Sequence, residues 1–348
     1  MLIYGNYLHI GRRISNTVTY VNPHFKSIFK DLKVGQSLNA RLLLDSKVFI
    51  PLSHHFSNNP QIEGFNLVAN GIHTRAAIAL KKPINLSKYS SNHPYPDYVE
   101  DFELKGVGNN SHALQSLMYP IPLVAMTNRG FQDASNAVDD LHWTEYLASK
   151  GVRVVPHIAH IRLNEIYYNG RKYSLDQARE SKIISTKFEP VVIFRGFGVR
   201  DRIQDLTTFK NKTELVDRAI KSVSKEFKLK KKMSYRKYSI WFAKTLGKQI
   251  KLMNNIGFHH YTLHPHQVTL DCRILDFAGS SLSSVLPVHL SNPYYQKLIG
   301  SELLTDFSDE MVKIMFTAPK INLPFFKNRE ERFENLLQTV YEKSYASN

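Results

Sequence analysis

The change of residue pattern near position 205 constrains the fold more than any other feature of this chain. Before it, short runs suited to strands are separated by turn residues, as in 37–45 and 98–106. After it, apolar residues recur at helical spacing, most clearly in 238–257. One strong helical pattern, at 134–151, interrupts the first half. The sequence therefore predicts an α+β protein.

This order of patterns predicts two lobes. With 348 residues, the chain is long enough for one large two-lobed domain or two ordinary domains. We place a sheet-rich N-lobe at 1–198 and a mostly helical C-lobe at 199–348. A ligand cleft is expected near the seam at 196–204, because ligands often bind where two such lobes meet.

The charge of the chain is its one extreme total. There are 46 basic and 30 acidic residues, a formal net charge of +16, which attracts polyanions such as nucleic acids, acidic membrane surfaces and nucleotide phosphates. Part of the excess lies in 221–238. A solvated helix face is the favoured interpretation of that run, and a nucleic-acid partner is the less favoured one.

Two further observations bear on location. The chain has one cysteine, Cys272, so an internal disulfide framework is excluded. No window approaches 18 uninterrupted apolar residues, so no membrane span is expected. A cytoplasmic protein is the resulting expectation.

The stretch FHHYTLHPHQVTLDCRILDFAG, residues 258–279, holds the strongest candidate site. Its four histidines, at 259, 260, 264 and 266, suggest a zinc site. The spacing is poor for zinc, because neighbouring histidines point apart and the chain has neither an HExxH helix motif nor paired cysteines. The alternative is that these histidines orient loops or are exposed.

The same stretch also reads as a β-hairpin. Residues 268–270 and 273–277 are two strand-like runs, separated by a turn at Asp271-Cys272. A hairpin places its two open ends side by side, so Gln267 and Asp276 are expected to converge. Amide and carboxylate oxygens are suitable ligands for Mg²⁺. A kinase fold builds its metal site in this way, and a surface hairpin with an ordinary Asp is the alternative.

A second element favours a nucleotide site. Lys105 ends a strand-like run and is followed by Gly106 and Gly108, an arrangement that suits phosphate binding. An acidic residue of the next helix, Asp140 or Glu145, is expected to pair with Lys105. The sequence does not choose between these two acids.

Taken together, these segments resemble the selenoprotein O family of kinase-fold protein adenylyltransferases. The family loop commonly reads GFxHGVMNTDNMSxxGxxIDYGP, and here GFHHYTLHPHQVTLDCRILDFAG begins at Gly257. Gly257, Phe258, His260 and Asp276 match in place without a gap. The resemblance implies a protein-kinase-like two-lobed fold whose catalytic and metal loop is 257–280.

Other family segments fall in the same order along residues 70–280. LKGVGN (104–109) resembles the family segment LKGAGRT. TEYLASKGVRVVP resembles the end of a family helix, and Glu145 of this chain aligns with a glutamate there. RGFGVRDR resembles a family segment with two arginines seven apart, here Arg195 and Arg202. HTRAAI weakly echoes GDGRAI and aligns Arg75. The resemblance implies that Lys105 and these three arginines contact the phosphates of ATP.

The chain also departs from the family. His266 stands in place of the loop Asp that is the presumed base, and Gln267 replaces the metal-binding Asn. A neutral His can still accept a proton from a hydroxyl near pH 7. We therefore expect AMP transfer from ATP, with Mg²⁺ or Mn²⁺, to a hydroxyl of a protein or peptide. The alternatives are a kinase-type phosphotransferase, an inactive ATP-binding pseudokinase and a basic nucleic-acid-binding protein.

Overall fold

The computed structural model describes residues 7–38, 41–51, 68–69, 75–107, 131–168, 171–208, 212–260, 263, 265–282 and 330–346. The chain divides into two compact units. Unit 1 comprises Met1–His93, Val99–Val138 and Pro156–Phe197, and unit 2 comprises Pro94–Tyr98, Asp139–Val155 and Gly198–Asn348. The change of unit after Phe197 lies one residue from the predicted lobe boundary. Unit 2 also includes two segments from the region predicted as N-lobe.

Unit 1 is built on a nine-stranded sheet within the described ranges. Its strands are β1 (Tyr7–Arg13), β2 (Asn16–Val21), β3 (Arg41–Pro51), β4 (Val68–Ala69), β5 (Arg75–Asn85), β6 (Tyr98–Lys105), β7 (Gln132–Asp133), β8 (His157–Leu163) and β11 (Pro190–Phe197). A separate hairpin is formed by β9 (Glu165–Tyr168) and β10 (Arg171–Ser174). The sheet order is β2-β8-β11-β6-β5-β4-β1-β3, with β7 beside β11.

The apolar strand β11 is an interior strand of this sheet, third from the edge formed by β2. All eight of its residues, PVVIFRGF, are buried, and it pairs antiparallel with β8 on one side and β6 on the other. A short continuous apolar run is typical of a strand covered on both faces. Arg195 is therefore placed in the interior of unit 1, directly opposite Glu103 in the register of β11 and β6.

Strand β6 confirms the strand predicted over 98–106, and it ends at Lys105. Gly106 follows with a φ of +94°, in the left-handed region that favours glycine. A Cβ at this position would lie 2.4 Å from the carbonyl oxygen of Val191. The close approach to β11 and the positive φ are thus sufficient to explain a glycine at position 106.

Helices dominate the described part of unit 2. The first is α1 (Ala134–Ser149), which confirms the helix predicted over 134–151 and belongs to unit 2 from Asp139 onward. The short α2 (Leu175–Glu180) lies in unit 1. The other helices of unit 2 are α3 (Asp205–Thr208), α4 (Lys212–Glu226), α5 (Tyr235–Asn255) and α6 (Glu330–Ala346).

The long helix α5 packs through the stripe that the sequence predicts. Phe242, Leu246, Ile250 and Met253 are all buried, so core packing explains their spacing. Helix α6 lies close against α5 at Gly247. A Cβ at this position would come within 2.6 Å of the backbone oxygen of Tyr341. After α5, β12 (Phe258–His259) pairs with β13 (Ser281–Leu282).

The chain is thus a mixed helix-and-sheet protein with a sheet-rich N-terminal region. The kinase-like arrangement of two lobes stays a prediction. Of the helices in the described ranges, none has the length and apolar character needed to cross a membrane.

Candidate functional site

The predicted hairpin is present in unit 2. The Thr269 N–H donates to the carbonyl of Arg273 at 3.0 Å, and the Leu275 N–H donates to the carbonyl of Gln267 at 3.1 Å. Val268 and Ile274 pair antiparallel between them. We call residues 267–275 the site hairpin. Because Gln267 pairs with Leu275, it lies at the open end, one residue from Asp276.

Two distant segments hold the site hairpin on either side. Segment 201–203 bonds to its first strand, and segment 153–155 bonds to its second. The hydrogen bonds run from Ile203 N to Val268 O at 3.0 Å, Leu270 N to Asp201 O at 2.7 Å, Ile274 N to Arg153 O at 2.8 Å, and Val155 N to Ile274 O at 3.1 Å. The hairpin is therefore the middle of an arrangement of four hydrogen-bonded extended segments, which the sequence does not predict.

A buried charge network lies beneath the turn of the hairpin. Arg153 donates from both terminal nitrogens to Glu226, at 2.7 and 2.9 Å. Arg273 lies with its Nε 2.7 Å from Asp271 Oδ2, and its Nη2 donates to the carbonyl of Tyr98 at 2.5 Å. Burial alone would lower the pKa of Arg153, but Glu226 and Asp271 outweigh it and the pKa is raised. Arg153 therefore stays protonated, and the network of ion pairs anchors the turn.

Gly198 is the residue that makes room for this network. A Cβ there would lie 2.4 Å from Asp271 Oδ2 and 2.5 Å from Arg273 Nη2. Any side chain at this position would have to displace one of two buried charged groups. Gly198 thus supports the turn of the site hairpin through close backbone approach.

Arg202 links the two residues that flank the site hairpin, His266 before it and Asp276 after it. Its Nη1 donates to the carbonyl of His266 at 2.8 Å and lies 3.5 Å from Asp276 Oδ2. The Arg202 side chain is only 3% exposed, whereas the Asp276 side chain is 13% exposed. The guanidinium therefore fixes His266 and Asp276 from the protein side, and the carboxylate keeps partial contact with solvent.

Two neighbouring carboxylates of α1 hold the turn that follows Asp276. Asp140 accepts a hydrogen bond from the Phe277 N–H at 2.8 Å, and Asp139 accepts one from the Gly279 N–H at 2.6 Å. Asp276 itself has a φ of +65°, a conformation that Asp tolerates better than most residues. These bonds compensate part of its strain.

The same two bonds reveal a role that the sequence did not assign. The sequence predicts Asp140 only as an alternative partner of Lys105, and it indicates no role for Asp139. The pair of adjacent acids within the helix is the sequence feature that could have indicated this role. It does not indicate which backbone N–H groups the two carboxylates bind. Glu145, the other predicted partner, is exposed on α1.

Phe277 and His260 lie in an aromatic cluster beneath the turn. The Phe277 ring lies 5.2 Å from the ring of His260 and 6.0 Å from that of Phe258, which in turn meets Trp143 at 5.3 Å. His260 donates from Nε2 to the carbonyl of Leu275 at 3.1 Å. Burial lowers the pKa of His260, although the bond to Leu275 and the nearby Asp276 act in the opposite direction. His260 is thus a neutral structural support.

This buried histidine predicts a pH dependence of stability. The unfolded chain binds a proton at His260 near pH 6.5, whereas the folded chain binds it only at lower pH. The free energy of unfolding of unit 2 should therefore fall as the pH drops from about 7 to about 5. His260→Gln retains an N–H donor but does not titrate. The free energy of unfolding of this variant should therefore fall less over the same pH range.

Urea unfolding at both pH values, followed by tryptophan fluorescence, measures this difference. The two tryptophans, Trp143 and Trp241, both belong to unit 2. Equal decreases in the wild-type protein and in His260→Gln would contradict the assignment of a buried neutral histidine.

The remaining predicted site residues lie in unit 1 or outside the described ranges. Lys105 is half-buried at the end of β6. Arg75 begins β5, and Gly108 lies outside the described residues. Arg195 is 1% exposed, and its Nη2 donates to Glu103 at 2.5 Å. The ion pair with Glu103 accounts for the burial of Arg195, and the phosphate contact that the resemblance implies stays a prediction.

The zinc interpretation gains no support from the described residues. Within them, no three His, Cys, Asp or Glu side chains are grouped as a metal site. His260 is buried against Leu275, and His264 lies outside the described residues. Gln267 and Asp276 remain as a two-ligand oxygen set, which suits a cation that keeps several waters.

No protein-family model matches this chain, and no curated protein matches it. Among solved structures, the chain is similar to a Toxoplasma gondii specific rhoptry antigen kinase domain, with a TM-score of 0.28 and 8% sequence identity. The similarity covers 71% of this chain and 69% of that chain. A likeness this distant carries no argument about activity, and the resemblance to the selenoprotein O family stays a prediction.

Proposed function

We propose that the protein is an ATP-dependent transferase that moves AMP to a hydroxyl group of a protein or peptide. The observation that carries the proposal is the juxtaposition of His266, Gln267 and Asp276 at the open end of one hairpin. A candidate base and two oxygen ligands then lie within a short stretch of backbone fixed by Arg202. The acceptor class follows from the resemblance to adenylyltransferases.

Asp276 and Gln267 are the residues that would hold Mg²⁺ or Mn²⁺. Their donor set, one carboxylate and one amide oxygen, fits a hard cation that also takes oxygens from phosphates and water. When bound, such an ion neutralises phosphate charge. The partial exposure of Asp276 is consistent with this role, because a fully buried carboxylate would have no room for a hydrated ion.

His266 is the candidate general base. Its carbonyl is held by Arg202 at 2.8 Å, so the backbone that carries the imidazole is fixed while the residue is only partly buried. A neutral imidazole accepts the proton of the attacking hydroxyl near pH 7. The hydroxyl oxygen then bonds to the α-phosphorus, and pyrophosphate leaves with the electrons of the broken P–O bond.

Arg202 enters the proposal as a positioning residue. The resemblance implies that it contacts phosphate, but its guanidinium is 3% exposed and lies between His266 and Asp276. In this position it aligns the base and the acid. Lys105 and Arg75 stay predicted phosphate contacts of unit 1, and Arg195 is not carried into the proposal.

Two alternatives use the same residues. A kinase-type phosphotransferase would transfer the γ-phosphate, with His266, Gln267 and Asp276 in equivalent roles. An inactive ATP-binding protein is favoured by the absence of the usual Asp and Asn at positions 266 and 267.

Asp276→Asn tests the proposal most directly. Asn tolerates positive φ as Asp does, so the substitution removes the charge and keeps the turn. We expect the wild-type protein to transfer label from ATP labelled at the α-phosphate to protein substrates, and Asp276→Asn to transfer it at least about 100-fold more slowly. Asp176→Asn, at an exposed carboxylate of α2, is the matched control and should retain the wild-type rate.

Each outcome distinguishes the three functions. Label transferred only from the γ-phosphate would identify a phosphotransferase and reject AMP transfer. If neither label is transferred, but Mg·ATP binds and Asp276→Asn abolishes that binding, the inactive nucleotide-binding function is supported. If Mg·ATP does not bind to the wild-type protein, all three are rejected.

A further inference from the structure

The turn between α4 and α5 carries a dense positive charge. Residues 225–237, which we call the basic tip, contain seven basic side chains and one carboxylate, Glu226. Glu226 is bound to Arg153, so it faces the buried charge network. The seven basic side chains are all exposed: Lys225, Lys228, Lys230, Lys231, Lys232, Arg236 and Lys237. Lys232 pairs with Asp217 at 2.7 Å.

Two large apolar side chains are exposed within the basic tip. Phe227 is 45% exposed and Leu229 is 44% exposed. The other large apolar side chains found strongly exposed in the described ranges, at Val34, Tyr89 and Val138, are far apart in the sequence. Single exposed apolar residues are ordinary, whereas a clustered pair surrounded by charge indicates a contact surface.

The backbone holds this apolar pair in place. Helix α4 ends at Glu226; two residues later Lys228 has a φ of +52°, and the Leu229 N–H donates to the carbonyl of Ser224 at 2.9 Å. The Ser224 hydroxyl also accepts from the Met233 N–H at 2.9 Å. This pattern is a helix C-cap with a left-handed residue, a position that glycine usually occupies. The strained Lys228 places Phe227 and Leu229 on either side of it at the surface.

The positive charge continues along α5. Lys237, Lys244 and Lys248 are exposed and spaced by seven and four residues, so they share one face of the helix. Helix α5 contains no acidic residue. The stripe extends about 16 Å from Lys237 to Lys248, at 1.5 Å per residue. Trp241 lies between Lys237 and Lys244 on this face and contacts Phe227 of the basic tip, so the tip adjoins the basic face of α5.

We propose that this surface docks unit 2 on an anionic lipid membrane. Lysines attract acidic headgroups over about a Debye length. Phe227 and Leu229 would then leave water for the boundary between headgroups and acyl chains, as the apolar residues of peripheral membrane proteins do. Membrane docking places catalysis or binding at a lipid surface, a property that the proposed transferase function does not require.

The apolar pair favours a membrane over a nucleic acid. Nucleic-acid binding through single strands uses aromatic rings as stacking platforms. Leu229 cannot stack on a base, and the Phe227 ring already meets Trp241 edge to face at 5.9 Å and 73°. A bilayer is the partner that covers both side chains while it neutralises the lysines.

Vesicle flotation with the full chain tests the proposal. We expect the wild-type protein to bind vesicles of phosphatidylcholine with phosphatidylserine, and not vesicles of phosphatidylcholine alone. Lys230→Glu with Lys231→Glu should weaken binding at least about tenfold. Phe227→Ser with Leu229→Ser should weaken it by a similar factor without changing the charge. The matched control is Lys30→Glu with Lys33→Glu, two exposed lysines of unit 1, which should bind like the wild-type protein.

Fluorescence anisotropy with a single-stranded RNA oligonucleotide measures whether the chain binds nucleic acid instead. Binding to RNA but to neither vesicle would overturn the membrane proposal in favour of a nucleic acid. Vesicle binding that the Phe227 and Leu229 substitutions leave unchanged would also overturn it, because charge alone would then account for the affinity. A circular dichroism melt checks that each variant is folded.

Discussion

Replacing Arg195 by alanine is expected to lower the free energy of unfolding of unit 1 by about 3–5 kcal/mol. The guanidinium belongs to the interior strand β11, is buried, and donates to Glu103 at 2.5 Å. It also lies 5.9 Å from the centre of the Phe197 ring. Its removal would leave the Glu103 carboxylate, only 2% exposed, without this charge partner inside the sheet.

Chemical denaturation followed by far-ultraviolet circular dichroism measures this loss, because both tryptophans report on unit 2. The matched control is Arg195→Met combined with Glu103→Leu, which removes both charges and should recover most of the lost stability. If Arg195→Ala unfolds like the wild-type protein but binds ATP more weakly, Arg195 would be a phosphate contact after all. That result would restore the role implied by the family resemblance.

Arg273→Ala is expected to destabilise unit 2 by a similar amount, about 3–5 kcal/mol. Arg273 is fully buried, with Asp271 Oδ2 at 2.7 Å and Glu226 Oε2 at 3.7 Å. Loss of the guanidinium leaves excess negative charge beneath the hairpin turn. It also removes the hydrogen bond to the carbonyl of Tyr98.

Urea unfolding followed by tryptophan fluorescence gives the free energy for unit 2. Arg236→Ala is the control, since this exposed arginine of α5 should change stability by no more than about 0.5 kcal/mol. Equal midpoints for Arg273→Ala and Arg236→Ala would show that the buried network contributes no net stability. The interpretation of Arg273 as the anchor of the turn would then be wrong.

Local features of this chain could be predicted from its sequence. The helix at 134–151 and the strand at 98–106 depend on periodicity within one segment. The hairpin at 267–275 depends on two short apolar runs and a turn between them. Each involves neighbours in the chain, so the residues themselves carry the information.

Features that join distant segments could not be predicted. The family-like motif predicts that Arg195 contacts phosphate, but its charge partner Glu103 is 92 residues away in the sequence, on the neighbouring strand. Asp139 and Asp140 cap a turn about 140 residues further on. A charged residue in a sequence is equally consistent with a ligand contact and a buried ion pair, and only the fold distinguishes them.

The site hairpin and the two distant segments that hold it also bear on the order of folding. Arg153 and Asp271, whose contact joins the outer segment to the turn, are 118 residues apart. Closing a loop of that length costs conformational entropy before any contact offsets it, and structures rich in distant contacts fold slowly. We therefore expect the hairpin to gain its final form late, after the helices of unit 2 have formed. A partly folded chain would accordingly contain most of its helix and lack the arrangement of His266, Gln267 and Asp276.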